Sequence, residues 1–256
     1  MSYLTAVLIV FAAALAAAGA AWLVGASVGI ETRKRHHEVG NPVFLQVGVM
    51  FSVLLAFVFA EVWGEFNTAA QAINGECGAL HGAAMLADAL PAGQGLPLER
   101  AIATYANTVI RVEWPTMARG AAGGAVATED FRVMLQEGAR LEATTPATVA
   151  NQAQILELLS LAHANRETRT FQAADGLPGA VWTVLIVIAV ILIGFVLFAG
   201  LEVPGHIVLA TAFAASTVGV LVLVKLLDYP FEGSLSLKPD DFIKTLGEVT
   251  AMVAGR

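Results

Sequence analysis

The sequence predicts an all-α membrane protein: four transmembrane helices in two pairs, with an α-helical extramembrane domain between spans 2 and 3. Three observations predict it. Residues 1–30, 39–60, 176–201 and 203–224 contain no Asp, Glu, Lys or Arg, and a bilayer is crossed by roughly 20 apolar residues. Of the 256 residues, 57% are hydrophobic and 14% charged, against roughly 45–50% and a quarter in soluble domains. The charge gathers between the two pairs, where apolar residues recur at helical spacing.

The chain therefore divides into spans 1 and 2 with a basic loop at 31–40 (residues 1–60), a helical domain continuing span 2 (61–176), spans 3 and 4 (177–225), and a tail with a short amphipathic helix (226–256). Span 1 has an Ala-rich end like that of a secretory signal, but no basic segment precedes it and its apolar run is too long for one. The loop carries Arg33, Lys34, Arg35, His36 and His37. Asn41 and Pro42 supply an N-cap and a first helical residue for span 2.

Past Ala60, the residues Trp63, Phe66, Ala70, Ile73, Cys77, Leu80 and Ala84 form a heptad seam. Span 2 and the first domain helix thus read as one rod from about Pro42 to Ala89, with glycines at 64, 75, 78 and 82 either weakening it or admitting a close neighbour. A second helix presents Leu98, Ile102, Tyr105, Val109 and Val112 until Pro115 ends or kinks it. Residues 119–127 read as a loop, Thr128 as the N-cap of a third helix, and Thr145-Pro146 as the start of a fourth. Spans 3 and 4 are joined by a tight link at 202–206. The tail helix presents Phe242, Leu246, Val249 and Val253.

Composition also excludes. The formal net charge of −7 argues against nucleic acid as a partner. Cys77 is the lone cysteine and cannot form an internal disulfide. The sequence offers no Cys/His cluster for a metal, no catalytic signature and no cofactor fingerprint. An enzyme is not expected, and neither is a cofactor. No span centre holds an ionisable residue, which counts against proton-coupled transport.

Arg33, Lys34 and Arg35 form the densest basic cluster, so the positive-inside rule puts their loop in the cytoplasm and the domain and both termini outside. The domain's thirteen acidic against seven basic residues agree. Arg166, Arg169 and Lys225 point the other way.

Two blocks of sequence resemble a known family. One is His37-Glu38-Val39-Gly40, Val47-Gly48-Val49-Met50, Leu54-Leu55-Ala56-Phe57-Val58 and Val62-Trp63. The other is Tyr105 with Glu113-Trp114-Pro115 and Met117, completed by Asp228, Pro230, Phe231, Gly233, Pro239 and Phe242. The chain is similar to the bacterial membrane family DUF4239, called bestrophin-like. The resemblance implies a bacterial inner-membrane protein and distant kinship with bestrophin ion channels, which are pentamers with a pore lined by the second helix. It also implies a cytosolic domain, opposite to the charge reading.

With that resemblance, Phe44, Phe51 and Val58, with Leu55 and Phe59 beside them, read either as a constriction that gates by dewetting or as a packing stripe. Glu61 and Glu65 read either as a charged ring at a pore mouth favouring cations or as ordinary interfacial carboxylates. Trp63 marks the membrane exit. Glu113 can pair with Arg111, Arg166 or Arg169; Trp114 can anchor at the interface or a subunit contact; and Asp228, Pro230, Phe231 and Gly233 form a turn after span 4. The expected function is a homo-oligomeric ion channel in the bilayer, its partners being lipid, inorganic ions and further copies. The alternative is a non-conducting scaffold or sensor whose domain binds a partner or ligand.

Overall fold

The computed structural model describes residues 1–121 and 124–255. Among them there is no strand. The helices are α1 (Tyr3–Ser27), α2 (Ile30–Asp88), α3 (Leu96–Thr108), α4 (Trp114–Met117), α5 (Ala125–Ala139), α6 (Pro146–Ala174), α7 (Gly179–Leu197), α8 (Val203–Leu227) and α9 (Asp240–Ala254). A turn of 3₁₀ helix covers Pro91–Gly93, and a π-helical turn, Val109–Glu113, joins α3 to α4. The chain forms two compact units. One is Met1–Gly64 with Gly176–Asp228; the other is Glu65–Asp175 with Tyr229–Arg256.

The first unit holds the four helices long and apolar enough to cross a membrane. Helix α1 packs along α8, and α7 packs on α8 as well. Small residues let these backbones approach: Ala6, Ala17, Ala21, Ala210 and Ala214 are buried. Phe51, Val58, Leu185, Leu192 and Val224 are buried too, yet at most 22% of any span's apolar window lies inside the protein. The remaining apolar surface is fit for lipid or for further copies.

The expected loop at 31–40 is helical. Val28 and Gly29 alone separate α1 from α2. Arg33 N–H bonds back to the Gly29 carbonyl, and the Arg33 side chain bonds the Val28 carbonyl, so the turn is completed locally. Pro42 consequently lies inside α2 rather than at its first turn, and Asn41 is no N-cap.

The second unit has a core of large side chains, including Leu80, Leu98, Ile102, Tyr105, Met134, Ile155, Leu159 and Phe242, all essentially inaccessible. The predicted seam is buried at Ile73, Cys77, Leu80 and Ala84, while Trp63 is 48% exposed. The Gly75 and Gly82 positions face α6: a Cβ at Gly75 would stand 2.7 Å from the Asn165 side chain, and one at Gly82 would stand 3.3 Å from Leu158. A Cβ at Gly64 or Gly78 would meet nothing within 4 Å.

Thr145 caps α6 as expected, in a reciprocal pairing with Thr148. Thr128 does not cap α5, which begins at Ala125 after Gly124. Of the loop expected at 119–127, residues 122 and 123 lie outside the described residues, as does residue 256 of the tail.

Candidate functional site

Helix α2 has two unlike faces along its first-unit stretch. Phe51 and Val58 are each 7% exposed and Val62 is fully buried. On the opposite side Gln46, Val49, Val53, Ala56, Ala60 and Gly64 are exposed, spaced by three or four residues as one helical face requires. Farther along, Gln71, Asn74 and Gly78 continue that spacing and are exposed in the second unit. The exposed face is uncharged and mixes small side chains with Phe57, 73% exposed. Phe51, Val58 and Val62 face the protein.

Of the two readings of the expected constriction, this burial accords with the packing stripe. Phe44 is spent on packing, with its ring 6.1 Å from Phe195 and 5.9 Å from Phe213. Phe51 and Val58 are buried, and Leu55 and Phe59 are half-buried beside them. Large residues at seven-residue spacing fill the space between packed helices, so the stripe serves the protomer's interior. Phe59 stacks on Trp63 with rings nearly parallel. Glu61 is exposed and Glu65 half-buried. At 3.6 residues per turn, Glu61 lies about 100° around α2 from Ala60, so it flanks the open face.

A second feature lies wholly inside the second unit. Arg169 on α6 donates from Nε to Glu76 Oε2 (2.8 Å), and from one terminal nitrogen to Glu76 Oε1 (3.2 Å) and Glu113 Oε2 (2.8 Å). Arg166, one turn earlier, donates to Glu113 Oε1 (2.7 Å) and Thr128 Oγ1 (3.1 Å). Tyr105 Oη donates to Glu76 Oε1. The Arg169 guanidinium lies 5.8 Å from the Trp114 ring centre and 5.2 Å from that of Phe242. Glu76, Glu113, Tyr105 and Arg169 are fully buried.

Two carboxylates and two guanidinium groups cancel in charge, which makes burial tolerable, although Arg166 Nε is buried without a hydrogen-bond partner among the described residues. Burial pushes the Tyr105 hydroxyl well above its ordinary range, reinforced by Glu76. Burial opposes the Arg169 charge, but Glu76, Tyr105 and Glu113 outweigh it and strengthen proton retention.

Pro115 explains how Glu113 reaches this cluster. Proline lacks an N–H and its ring crowds the carbonyl four residues back. The helix widens to a π turn over Val109–Glu113, and Glu113 closes that turn facing inward. Of the three expected partners, Glu113 takes Arg166 and Arg169, while Arg111 bonds Asn107. Trp114 is buried (6% exposed), so it anchors neither at a membrane interface nor on an exposed subunit face. Its rings meet Phe231 and Phe242 nearly edge-on, at 5.4 and 5.8 Å, and its Nε1 donates to the Leu237 carbonyl.

The Asp228–Gly233 turn divides its work. Asp228, buried in the first unit, accepts from Leu177 N–H (2.8 Å), Trp182 Nε1 (3.2 Å) and Lys225 Nζ (2.8 Å). In the second unit the Pro230 carbonyl accepts from Leu237 N–H, Phe231 packs on Trp114, and Gly233 supplies the positive φ of 76° that the turn needs.

Sequence reasoning missed Glu76 and Arg33. Glu76 sits among the seam residues Ile73, Cys77 and Leu80; a carboxylate on an apolar face was the available signal. Arg33 is buried in the first unit, donating to the carbonyls of Val28 (3.2 Å) and Ala199 (3.1 Å) and to His206 Nδ1 (3.2 Å). It caps the C-terminal ends of α1 and α7, where helix dipoles favour a cation. Among the described residues no group of three His, Cys, Asp or Glu could hold a metal ion.

Comparison with known proteins agrees with this architecture. No curated protein matches the chain. A crystal structure of a bacterial bestrophin homologue from Klebsiella pneumoniae is similar in fold, with a TM-score of 0.73 at 12% identity, covering 96% of this chain and 99% of that one. A zinc-phased structure of a bestrophin homologue from the same organism gives 0.73 at 12% identity over 95% and 98%. A further crystal structure, described as a membrane protein, gives 0.75 at 12% identity over 95% and 98%. The Bestrophin-like domain model matches residues 11–242, and the chain therefore belongs to the bestrophin-like family.

Proposed function

We propose that this protein is a homo-oligomeric ion channel whose pore is lined by the open face of α2, with five copies as the number that kinship with bestrophins implies. The observation that carries the reading is the asymmetry of α2. Phe51, Val58 and Val62 on one side are buried, and the side carrying Gln46, Val49, Val53, Ala56, Phe57 and Ala60 is left open. Copies of such a helix approach closely around an axis, and rings of Val49 and Val53 form a narrow apolar neck that gates by dewetting. Gln71 and Asn74 offer uncharged polar contacts to an ion beyond it.

Glu61, flanking the end of the open stretch, attracts cations by its field, with Glu65 one turn on. The protein resides in the bacterial inner membrane. The Arg33–Arg35 cluster is cytoplasmic under the positive-inside rule, with domain and termini outside. An active alkaline phosphatase fused at the C-terminus supports that orientation, and an inactive, stably expressed fusion reverses it.

The experiment is native mass spectrometry of the purified protein, followed by ion flux in liposomes. A ring of four or more copies that passes ions is expected. A monomer or dimer, or a ring without flux, removes the channel and favours the non-conducting scaffold.

A further inference from the structure

The first unit contains a cavity of about 750 Å³ between α2, α7 and α8, within the roughly 300–1,000 Å³ of sites that hold small amphipathic molecules. Its lining is graded. His36, His37 and Asn41 form one end, at the boundary where the charge-free stretch of α2 begins. Phe44, Ile191, Phe195 and Phe213 line it farther along the apolar spans. The cavity's polarity thus runs from headgroup depth to hydrocarbon depth, as a phospholipid's own does.

The buried charge at the polar end is a cation. Arg33 is buried and, among the described residues, bonds only neutral acceptors: two carbonyls and the His206 ring. One of those carbonyls belongs to Ala199, which lines the cavity. Glu31 is paired with Lys34 at 3.6 Å, which leaves the buried Arg33 and the exposed Arg35 against the exposed Glu38 and Glu202. His36 and His37 add ring N–H donors at the mouth.

We propose that this cavity is a binding site for one anionic diacyl phospholipid per protomer. The phosphate sits at the His36 and His37 rim under the field of Arg33 and Arg35, and an acyl chain lies between Phe44, Phe195 and Phe213. Basic pockets between spanning helices recognise acidic headgroups in this way. The lipid would stiffen the junction of α2 with the α7–α8 hairpin. The inference is independent of ion conduction.

Gly194 provides a clean test. It lines the cavity, and a Cβ there would meet nothing within 4 Å, so Gly194→Leu fills the space without displacing backbone. The purified full-length protein is equilibrated with equal dioleoylphosphatidylglycerol and dioleoylphosphatidylcholine, and bound lipid is counted by native mass spectrometry. The expected result is a preference for phosphatidylglycerol of about fivefold or more, the scale of one basic contact at a membrane surface. Gly194→Leu should lose most of the bound lipid with the oligomer unchanged. His36→Ala with His37→Ala should retain lipid but lose the headgroup preference.

Equal retention of the two lipids by the wild-type protein overturns the proposal, and that arm stands even where a variant fails to fold. Unchanged retention in a folded Gly194→Leu protein also overturns it. So does efficient crosslinking in membranes between copies carrying Leu209→Cys in a Cys77→Ser background, because a second copy would then occupy the cavity.

Discussion

Arg33 in the spanning unit and Arg169 in the helical domain are both buried guanidinium groups, at 2% and 0% exposure, but they are satisfied by different means. Arg169 faces two carboxylates and two aromatic rings. Arg33 faces two helix-end carbonyls and an imidazole. The domain meets charge with opposite charge in a closed, neutral cluster. Arg33 relies on the partial charge of helix ends and has no carboxylate partner among the described residues. The difference teaches that a spanning helix pair can be locked by one basic residue at its turn, whereas the domain's lock requires every member.

Breaking the domain lock should have the largest effect. Arg169→Met leaves Glu76 and Glu113 buried without their main cation, and loss of one partner from such a cluster costs about 3–5 kcal/mol. The expected outcome is a domain that melts far below the wild type, followed by far-UV circular dichroism in detergent. Glu76→Gln in the same background should recover part of the loss.

Breaking the spanning lock should cost less. Arg33→Met leaves two carbonyls without their side-chain donor, a loss of about 1–3 kcal/mol. Reduced thermal stability with unchanged domain helicity is expected, and a loss as large as that of Arg169→Met would refute the contrast.

Alkaline pH sharpens the comparison further. The folded-state pKa of Tyr105 is raised by burial and by Glu76. Its contribution is fully present below the unfolded value of about 10 and is lost as pH rises from there towards the folded value. Stability should decline above about pH 10, and Tyr105→Phe should flatten that decline. Equal slopes for both proteins would show that Tyr105 does not carry it.

The smallest effect concerns the flank of α2. Glu61→Arg with Glu65→Arg should shift the reversal potential towards anions by a few millivolts to tens of millivolts, with the channel still assembled. Unchanged selectivity removes both residues from the ion pathway.

The four spans were legible because lipid forbids charge along most of their length, and a charge-free run is a one-dimensional signal. Thr145-Pro146 was legible because its cap is local. The helical continuity of 31–40 was not, because a run of charged residues between two apolar stretches reads as a loop, and the closure of the Val28–Gly29 turn by the Arg33 side chain has no period in the sequence. The Glu113-Trp114-Pro115 run stood out in the sequence because a proline next to a tryptophan interrupts a helical pattern. Glu76, which shares Arg169 with Glu113, had one sign, a carboxylate on an apolar face, but its pairing across helices has no sequence period. The role of the α2 stripe was left open, because Phe44, Phe51 and Val58 recur as pore or packing residues equally well; the contacts of Phe44 with Phe195 and Phe213 join elements distant in sequence.

The face of α2 is also the most direct place to test the central claim. Val53 is 52% exposed and Phe51 is 7% exposed, two residues apart on opposite sides of one helix. Each is replaced singly by cysteine in a Cys77→Ser background, and ion flux through reconstituted protein is measured before and after a small charged thiol reagent. Block of Val53→Cys with Phe51→Cys unaffected is the predicted result. Block of Phe51→Cys alone, or conduction indifferent to both, would contradict an ion pathway along the open face of α2.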